Sequence, residues 1–327
     1  MPNRVRRKRR RRNPARILLA VVLIAAAAYA GIHCLLFQKP QQVQAVEQLN
    51  EEEQNAEQAQ VDEEAEALRS HQERKADFYT ILVSGVDDGN GNSDTNILVA
   101  VDTAGGSIYG VSIPRDTKAV WNGKSHKINA AFGSGGIEKL ADVIGDQLGI
   151  PVDYTVQVDL KGFVALVDAI GGVDFDVPID MNYEDPYQDL YIHIPAGMQH
   201  LSGEEALKVV RFREGYASQD IARMETQQAF LKAVAQQTLQ ISNLTKVDQF
   251  VKIFQQYVET DLTLGNLAWL GSKAISIGAE NVAFSTLPGD WKSPYIYLNK
   301  EETLTLVNEH LNPYVEDRVA EDLNIPD

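Results

Sequence analysis

The segment from Ile17 to Phe37, ILLAVVLIAAAAYAGIHCLLF, constrains this chain most, because its 21 residues include no Asp, Glu, Lys or Arg. A helix of that length rises about 30 Å, the thickness of a bilayer core. A cleaved signal peptide would have a shorter apolar region and a small-x-small exit, whereas this run closes on Leu35, Leu36 and Phe37. Nine of the chain's 30 basic residues precede it, within positions 1–16, where there is no acid. Such a block stays cytoplasmic under the positive-inside rule. The pattern predicts a basic cytoplasmic tail over 1–16, a transmembrane helix over 17–37, and localisation in the cell membrane as a single-pass protein with its C-terminal domain outside.

The formal charge of −16 averages over these parts: beyond position 16 the chain holds 21 basic against 46 acidic residues. An acidic outer region excludes general nucleic-acid binding, which needs a basic surface to neutralise phosphates. The one cysteine, Cys34, lies in the apolar run, so disulfides and thiolate metal sites are excluded elsewhere. Residues 38–77 are rich in Gln, Glu and Ala and have too little apolar material to bury a core. They read as a solvated stalk that would reach about 60 Å if helical.

From Phe78 the pattern becomes that of a folded domain. Apolar runs of strand length (YTILVSGV, Asn96–Asp102, Ser107–Ile113, DYTVQVD, VDFDVP, VVRFR, NVAFSTLPG) alternate with segments of helical period (Ser134–Leu148, KGFVALVDAI, Leu201–Lys208, Gln219–Leu239, Leu244–Val258, Asn266–Ile277). The alternation predicts an α/β fold, an α/β/α layered domain around a mixed β-sheet over 78–289. Residues 290–327 form a polar tail with a few aromatics and no evident role.

Strands of open α/β sheets present ligands at their C-terminal ends. The first strand delivers Asp87 and Asp88 and leads through a Gly/Asn-rich turn to Asp94. Carboxylates gathered on a loop suit a hard divalent cation, although Asp-Gly sequences are also ordinary turn chemistry. The third strand ends at Pro114 and delivers Arg115 and Asp116, which could fork onto an anion or form a surface ion pair. If VVRFR is a strand, Arg211 and Arg213 share one face, and on the next helix Asp220, Arg223 and Gln227 share another. Parallel arginines suit a multivalent anion; a structural salt-bridge face with Glu214 and Glu225 is the alternative. Together these groups suggest a diphosphate held by Arg115, Arg211, Arg213 and Arg223, with Mg²⁺ or Mn²⁺ on Asp87 and Asp94. Asp116 and Asp220 are the candidates for a base acting on an incoming hydroxyl.

The stretches GVDD, SDT at Ser93–Thr95, SIPRDT at Ser112–Thr117, KINAAF at Lys127–Phe132, DLKGFVALVDAIGGVDFDV, LSGEEALKVVRFR and DIARMETQQAFL resemble the LytR-CpsA-Psr family of bacterial envelope proteins, in family order. The resemblance implies a magnesium-dependent phosphotransferase. It would move a glycopolymer (teichoic acid, capsule or a related wall polysaccharide) from a polyprenyl-diphosphate carrier onto peptidoglycan through a phosphodiester. It further implies an apolar tunnel for the lipid, Asp87 and Asp94 as metal ligands, diphosphate contacts from Arg115, Lys127, Arg211, Arg213, Arg223 and Gln227, and Asp220 orienting the arginines. Two positions depart from the family pattern, Asn92 and Thr226, where arginines are usual. The alternatives are a membrane-tethered binder of the same lipid-linked glycan and a diphosphate hydrolase that uses water as acceptor.

Overall fold

The computed structural model describes residues 37–43, 73–86, 93–187, 190–212, 219–240 and 246–326, with the side chains of Asp94, 219–225 and 247–248 left out. Its centre is a six-stranded sheet in the order β11-β6-β1-β2-β3-β12. β1 (Phe78–Val86) lies between β2 (Ser93–Asp102), antiparallel to it, and β6 (Tyr154–Asp159), parallel to it. β3 (Ser107–Ser112) pairs antiparallel with β2 and parallel with β12 (Val282–Thr286), while β11 (Val258–Thr260) closes the far edge on β6. The long apolar run of β1 follows from its position, because a central strand covered on both faces has no solvent side to alternate with.

Both faces are covered by helices. On one, Leu82, Leu98 and Val111 pack with Leu140, Ile144 and Leu148 of α1 (Asn129–Leu148). On the other, Tyr79, Ile81 and Val101 meet Leu270 of a helix over Leu264–Ile277, whose Trp269 sits edge-on to Tyr79 at 5.8 Å. The expected layered α/β/α arrangement around a mixed sheet is therefore present.

A second core lies beside the sheet. It gathers α2 (Leu160–Ile170), α3 (Gly203–Arg211) and α4 (Gln219–Thr238) over β7 (Val173–Val177), β8 (Met181–Asp185), β9 (Leu190–Ile194) and β10 (Gly197–Leu201). Phe230 is its fully buried centre and meets Phe175 edge-on at 5.1 Å. Among the described residues the remaining α-helices are α5 (Val247–Tyr257), α6 (the Leu264–Ile277 helix) and α7 (Lys300–Leu306).

Two expectations are corrected, and the tail, whose packing was left open, is placed. Among the described residues no helix is long and apolar enough to cross a membrane, so the predicted transmembrane helix and the single-pass membrane localisation are withdrawn; residues 17–36 lie outside the described residues. VVRFR is not a strand: Val209–Arg211 end α3, whose start is fixed by a capping box between Ser202 and Glu205. Helical initiation and the buried stripe Ala206–Val209 override the β-branched local preference. The polar tail is also packed, since Leu298, Val307, Leu311 and Tyr314 all enter the first core.

The ends of the expected stalk are docked on the domain. Val43 donates its backbone N–H to Asp153 at 2.9 Å, and Arg74 spans Asp153 at 2.8 Å and the Val43 carbonyl at 2.9 Å. Asp153, with a fully buried side chain, also accepts from the Thr80 N–H and hydroxyl. Residues 43 and 74 thus meet at one point on the sheet. Burial, and then the nearby Asp77, raise the pKa of Tyr79 beneath this strap.

Candidate functional site

β1, β3, β6 and β12 point the same way, because β1 is parallel to β6, β3 is parallel to β12, and β2 runs antiparallel between β1 and β3. Their C-terminal ends, Val86, Ser112, Asp159 and Thr286, therefore share one edge of the sheet, the edge from which β2 starts at Ser93. This is the edge on which open α/β sheets carry ligands.

The Pro114–Thr117 turn leaves that edge from β3 and is held on three sides. Its start is set by Ile113 N–H on the Asn96 carbonyl at 2.8 Å, and the Thr117 N–H and hydroxyl close it on the Pro114 carbonyl at 3.0 and 2.7 Å. The Arg115 carbonyl accepts from Asn129 N–H at 3.2 Å, and the Asp116 carbonyl from Ile296 N–H at 2.9 Å. The backbone under Arg115 and Asp116 is thus fixed by α1 and by the hairpin of β13 (Gly289–Lys292) and β14 (Tyr295–Leu298).

The charges on this turn are paired. Lys127, at the end of β5 (Lys124–Lys127), places Nζ 2.8 Å from Asp116 Oδ1, and Arg115 Nε lies 3.8 Å from Asp116 Oδ2. Asp116 is 22 % exposed between two cations that are about 40 % exposed each. One carboxylate thus faces two positive groups that still reach solvent, so this is a half-exposed ion-paired cluster rather than a buried ion pair.

The other expected residues are placed as follows. Arg211 is the last residue of α3, where the helix dipole favours a cation. Gln227, on α4, donates Nε2 to the Val210 carbonyl at 3.3 Å, so it joins α4 to the end of α3 that carries Arg211. The next residue, Gln228, donates to Thr286 Oγ1 at 3.2 Å and ties α4 to the same sheet edge. Asp220 and Arg223 lie on α4 with undescribed side chains, and Asp87 and Arg213 fall outside the described residues.

For a divalent cation, no group of three or more His, Cys, Asp or Glu is found among the described residues. The donor chemistry nevertheless fits a hard cation. Asp87 follows Val86 in the sequence and Asp94 follows Ser93, and Val86 and Ser93 are strand partners. The buried Ser93 hydroxyl has no hydrogen-bond partner at this point. Oxygen ligands that leave several positions to water or phosphate are what Mg²⁺ takes.

Sequence reasoning missed Asn96. It accepts from the buried Ser84 hydroxyl at 2.9 Å behind the edge, while its own Nδ2 is buried without a partner among the described residues. Its signal was only an amide at the head of an apolar strand.

The model of the LytR_cpsA_psr family matches residues 39–313. The chain belongs to the LytR_cpsA_psr family. Similar members include a Bacillus cereus protein named polyisoprenyl-teichoic acid–peptidoglycan teichoic acid transferase TagU, 35% identical over 221 residues, or 66% of this chain and 70% of that one. The Bacillus subtilis transferase TagV is 33% identical over 196 residues, covering 57% of this chain, which spans half the length of that relative. The crystal structure of B. subtilis TagV superposes with a TM-score of 0.62 at 28% identity, over 74% of this chain and all of that one. The LytR_cpsA_psr match, from residue 39 to Pro313, includes the strand ends and the Pro114–Thr117 turn described above.

Proposed function

We propose that this chain is a phosphotransferase that moves a glycopolymer from a polyprenyl-diphosphate carrier onto peptidoglycan. The carrying observation is the ion-paired Arg115–Asp116–Lys127 group at the shared strand edge, in a chain similar to teichoic-acid transferases. In the reaction an acceptor hydroxyl forms a new O–P bond at the glycan-bearing phosphorus. The bridging P–O bond breaks, and polyprenyl phosphate leaves with its electron pair.

Arg115 and Lys127 bind the diphosphate oxygens and meet the charge that builds in the transition state. Asp116 holds both cations at fixed spacing. Arg211 closes the site from the end of α3, with Gln227 fixing that end against α4, and Arg213 and Arg223 extend the same clamp. Mg²⁺ on Asp87 and Asp94 would neutralise diphosphate charge when bound. Asp220, or Asp116 through its Oδ2, accepts the proton of the incoming hydroxyl.

The test is to incubate the protein with a polyprenyl-diphosphate-linked glycan and peptidoglycan, with and without Mg²⁺, and follow glycan in the insoluble wall fraction. Transfer that depends on Mg²⁺ and is lost in Arg115→Ala and Arg211→Ala supports the reading. Release of glycan phosphate to water alone makes the chain a hydrolase, and binding with no turnover makes it a binder.

A further inference from the structure

α4 makes contacts on two sides. Phe230 and Val234, one turn apart, are buried in the second core, with the buried Thr226 one turn before them. Gln228 stands two positions before Phe230, about 200° around the helix, and so faces away from that core. Its Nε2 donates to Thr286 Oγ1 at 3.2 Å. The preceding amide, about 100° away, is committed to a different element: Gln227 donates to the Val210 carbonyl, next to Arg211. Two adjacent side chains thus tie α4 to the Arg211 end of α3 and to the end of β12.

The end of β12 belongs to the strand edge that carries the Arg115 turn. Thr286 is the last residue of β12 and the lateral partner of Ser112, the last residue of β3. Leu287 N–H adds a bond to the Ser112 carbonyl at 3.0 Å, three residues before Arg115. Through the register, Thr286 and Ser112 lie on the same face as Ile97, Val99 and Ile108, the face that packs on α6. The Arg115 carbonyl is held by Asn129 of α1, the helix that covers the other face. The cations of the site therefore come from two bodies, Arg115 and Lys127 from the sheet and its β5 hairpin, and Arg211 from the second core. The Gln228–Thr286 bond spans the two. Apolar packing is non-directional and lets a helix slide, whereas a hydrogen bond holds its partners to a narrow range of distance and angle.

We propose that Gln228 and Thr286 are positioning residues for the diphosphate. Their hydrogen bond sets the spacing between the Arg115–Lys127 group and the α3 end that carries Arg211, so that one diphosphate meets both at once. This deepens the transferase reading and rests on it for the identity of the reaction. Neither side chain acts on the reacting phosphorus itself.

The experiment compares the full chain with Thr286→Val, Thr286→Ser, Gln228→Leu and the combined Thr286→Val/Gln228→Leu. Valine keeps the shape of threonine without the hydroxyl, and serine keeps the hydroxyl. The measurements are Kd for inorganic diphosphate with Mg²⁺ by calorimetry, kcat and donor KM for glycan transfer, and the melting temperature. Because a misplacement of about 1 Å can cost about 10² in rate, Thr286→Val and Gln228→Leu are expected to lower kcat about ten- to thirtyfold and to raise the diphosphate Kd about three- to tenfold. Thr286→Ser should stay close to the parent in both, and the melting temperature should move by less than about 3 °C in the single variants. The combined variant should be no worse than either single one, because both remove the same bond. Diphosphate binding that weakens in this pattern, in a protein that transfers no glycan, would keep the positioning role and remove the transferase reading. Glycan transfer at the parental kcat in Thr286→Val and Gln228→Leu would overturn the positioning role and leave the transferase. A lower melting temperature with diphosphate affinity and kcat per folded molecule unchanged would overturn it as well, and so would equal losses in Thr286→Ser and Thr286→Val.

Discussion

Asp116 brings two cations to one point, because its two oxygens face Lys127 and Arg115 from a turn whose backbone is fixed on three sides. Removing one preorganised donor from a site of developing charge typically costs about 10²–10³ in rate. Arg115→Ala is therefore expected to lower glycan transfer by about that factor with an unchanged melting temperature, since the side chain reaches solvent. Arg115→Lys should recover little, because an ammonium cannot present the guanidinium's planar fork. Asp153 has the opposite character. Its carboxylate is buried and takes Arg74, Thr80 and Val43 as donors. Asp153→Ala leaves the Arg74 charge unpaired, at a cost of about 3–5 kcal/mol. Urea unfolding should show that loss, with the transfer rate of the folded fraction near that of the parent.

At the scale of elements, α3 links folding to the site. It begins with the Ser202–Glu205 capping box and ends at Arg211. Ser202→Ala should cost about 1 kcal/mol, the usual worth of an N-cap hydroxyl, measured by chemical denaturation. Hydrogen bonds from the Ser202 backbone, and then its hydroxyl, lower the pKa of Glu205. The stabilisation from Glu205 is accordingly present above its unfolded pKa and is lost as the pH falls through the lower folded value; Glu205→Gln should remove that acid limb. Gly203 admits no side chain, because a Cβ there would meet the Val164 carbonyl at 2.3 Å, so Gly203→Ala should separate α3 from α2 and reduce both stability and transfer. The same helix shows what sequence reading could reach. Arg211 was singled out by its motif, yet its strand assignment failed because Val209, Val210 and Phe212 carry β preference and the cap lies seven residues upstream of Val209. The β8–β9 hairpin was missed although Leu190, Ile192 and Ile194 alternate cleanly with exposed residues, because the tyrosines and acids of Met181–Tyr191 masked that period. Arg115 and Asp116 were named from the sequence with an ion pair between them as one reading, and Lys127 through the family resemblance; the Lys127–Asp116 contact was not foreseen, since Lys127 comes to Asp116 only through the folding of β4 (Lys118–Trp121) on β5.

At the scale of the whole molecule, the alternation of strand-length and helix-period segments was enough to foresee the mixed sheet with helices on both faces, although β6, with Thr155, Gln157 and Asp159, is far less apolar than β1. The contribution of residues at the two ends was not foreseen. Tyr314 lies beside the guanidinium of Arg318 at 4.2 Å and that of Arg74 at 5.9 Å, and Lys75 N–H bonds the Pro313 carbonyl at 2.8 Å. The strap, the first strand and the tail therefore close on one another through contacts between residues some 240 positions apart, which no local pattern reveals. The meeting of Val43 and Arg74 has a further consequence: whatever the segment between them does, it adds no distance between residue 43 and the domain. Its replacement by a Gly/Ser linker of about ten residues shortens a loop whose ends are already joined. Closure entropy changes by only about 0.6 kcal/mol per halving of loop length. The shortened protein should melt at the parental temperature or slightly above, and transfer glycan at the parental rate. Hydrogen exchange at Thr80 and Asp153 would report whether the staple survives; a large loss of protection or of activity would show that the Gln/Glu-rich segment does more than connect its two anchored ends.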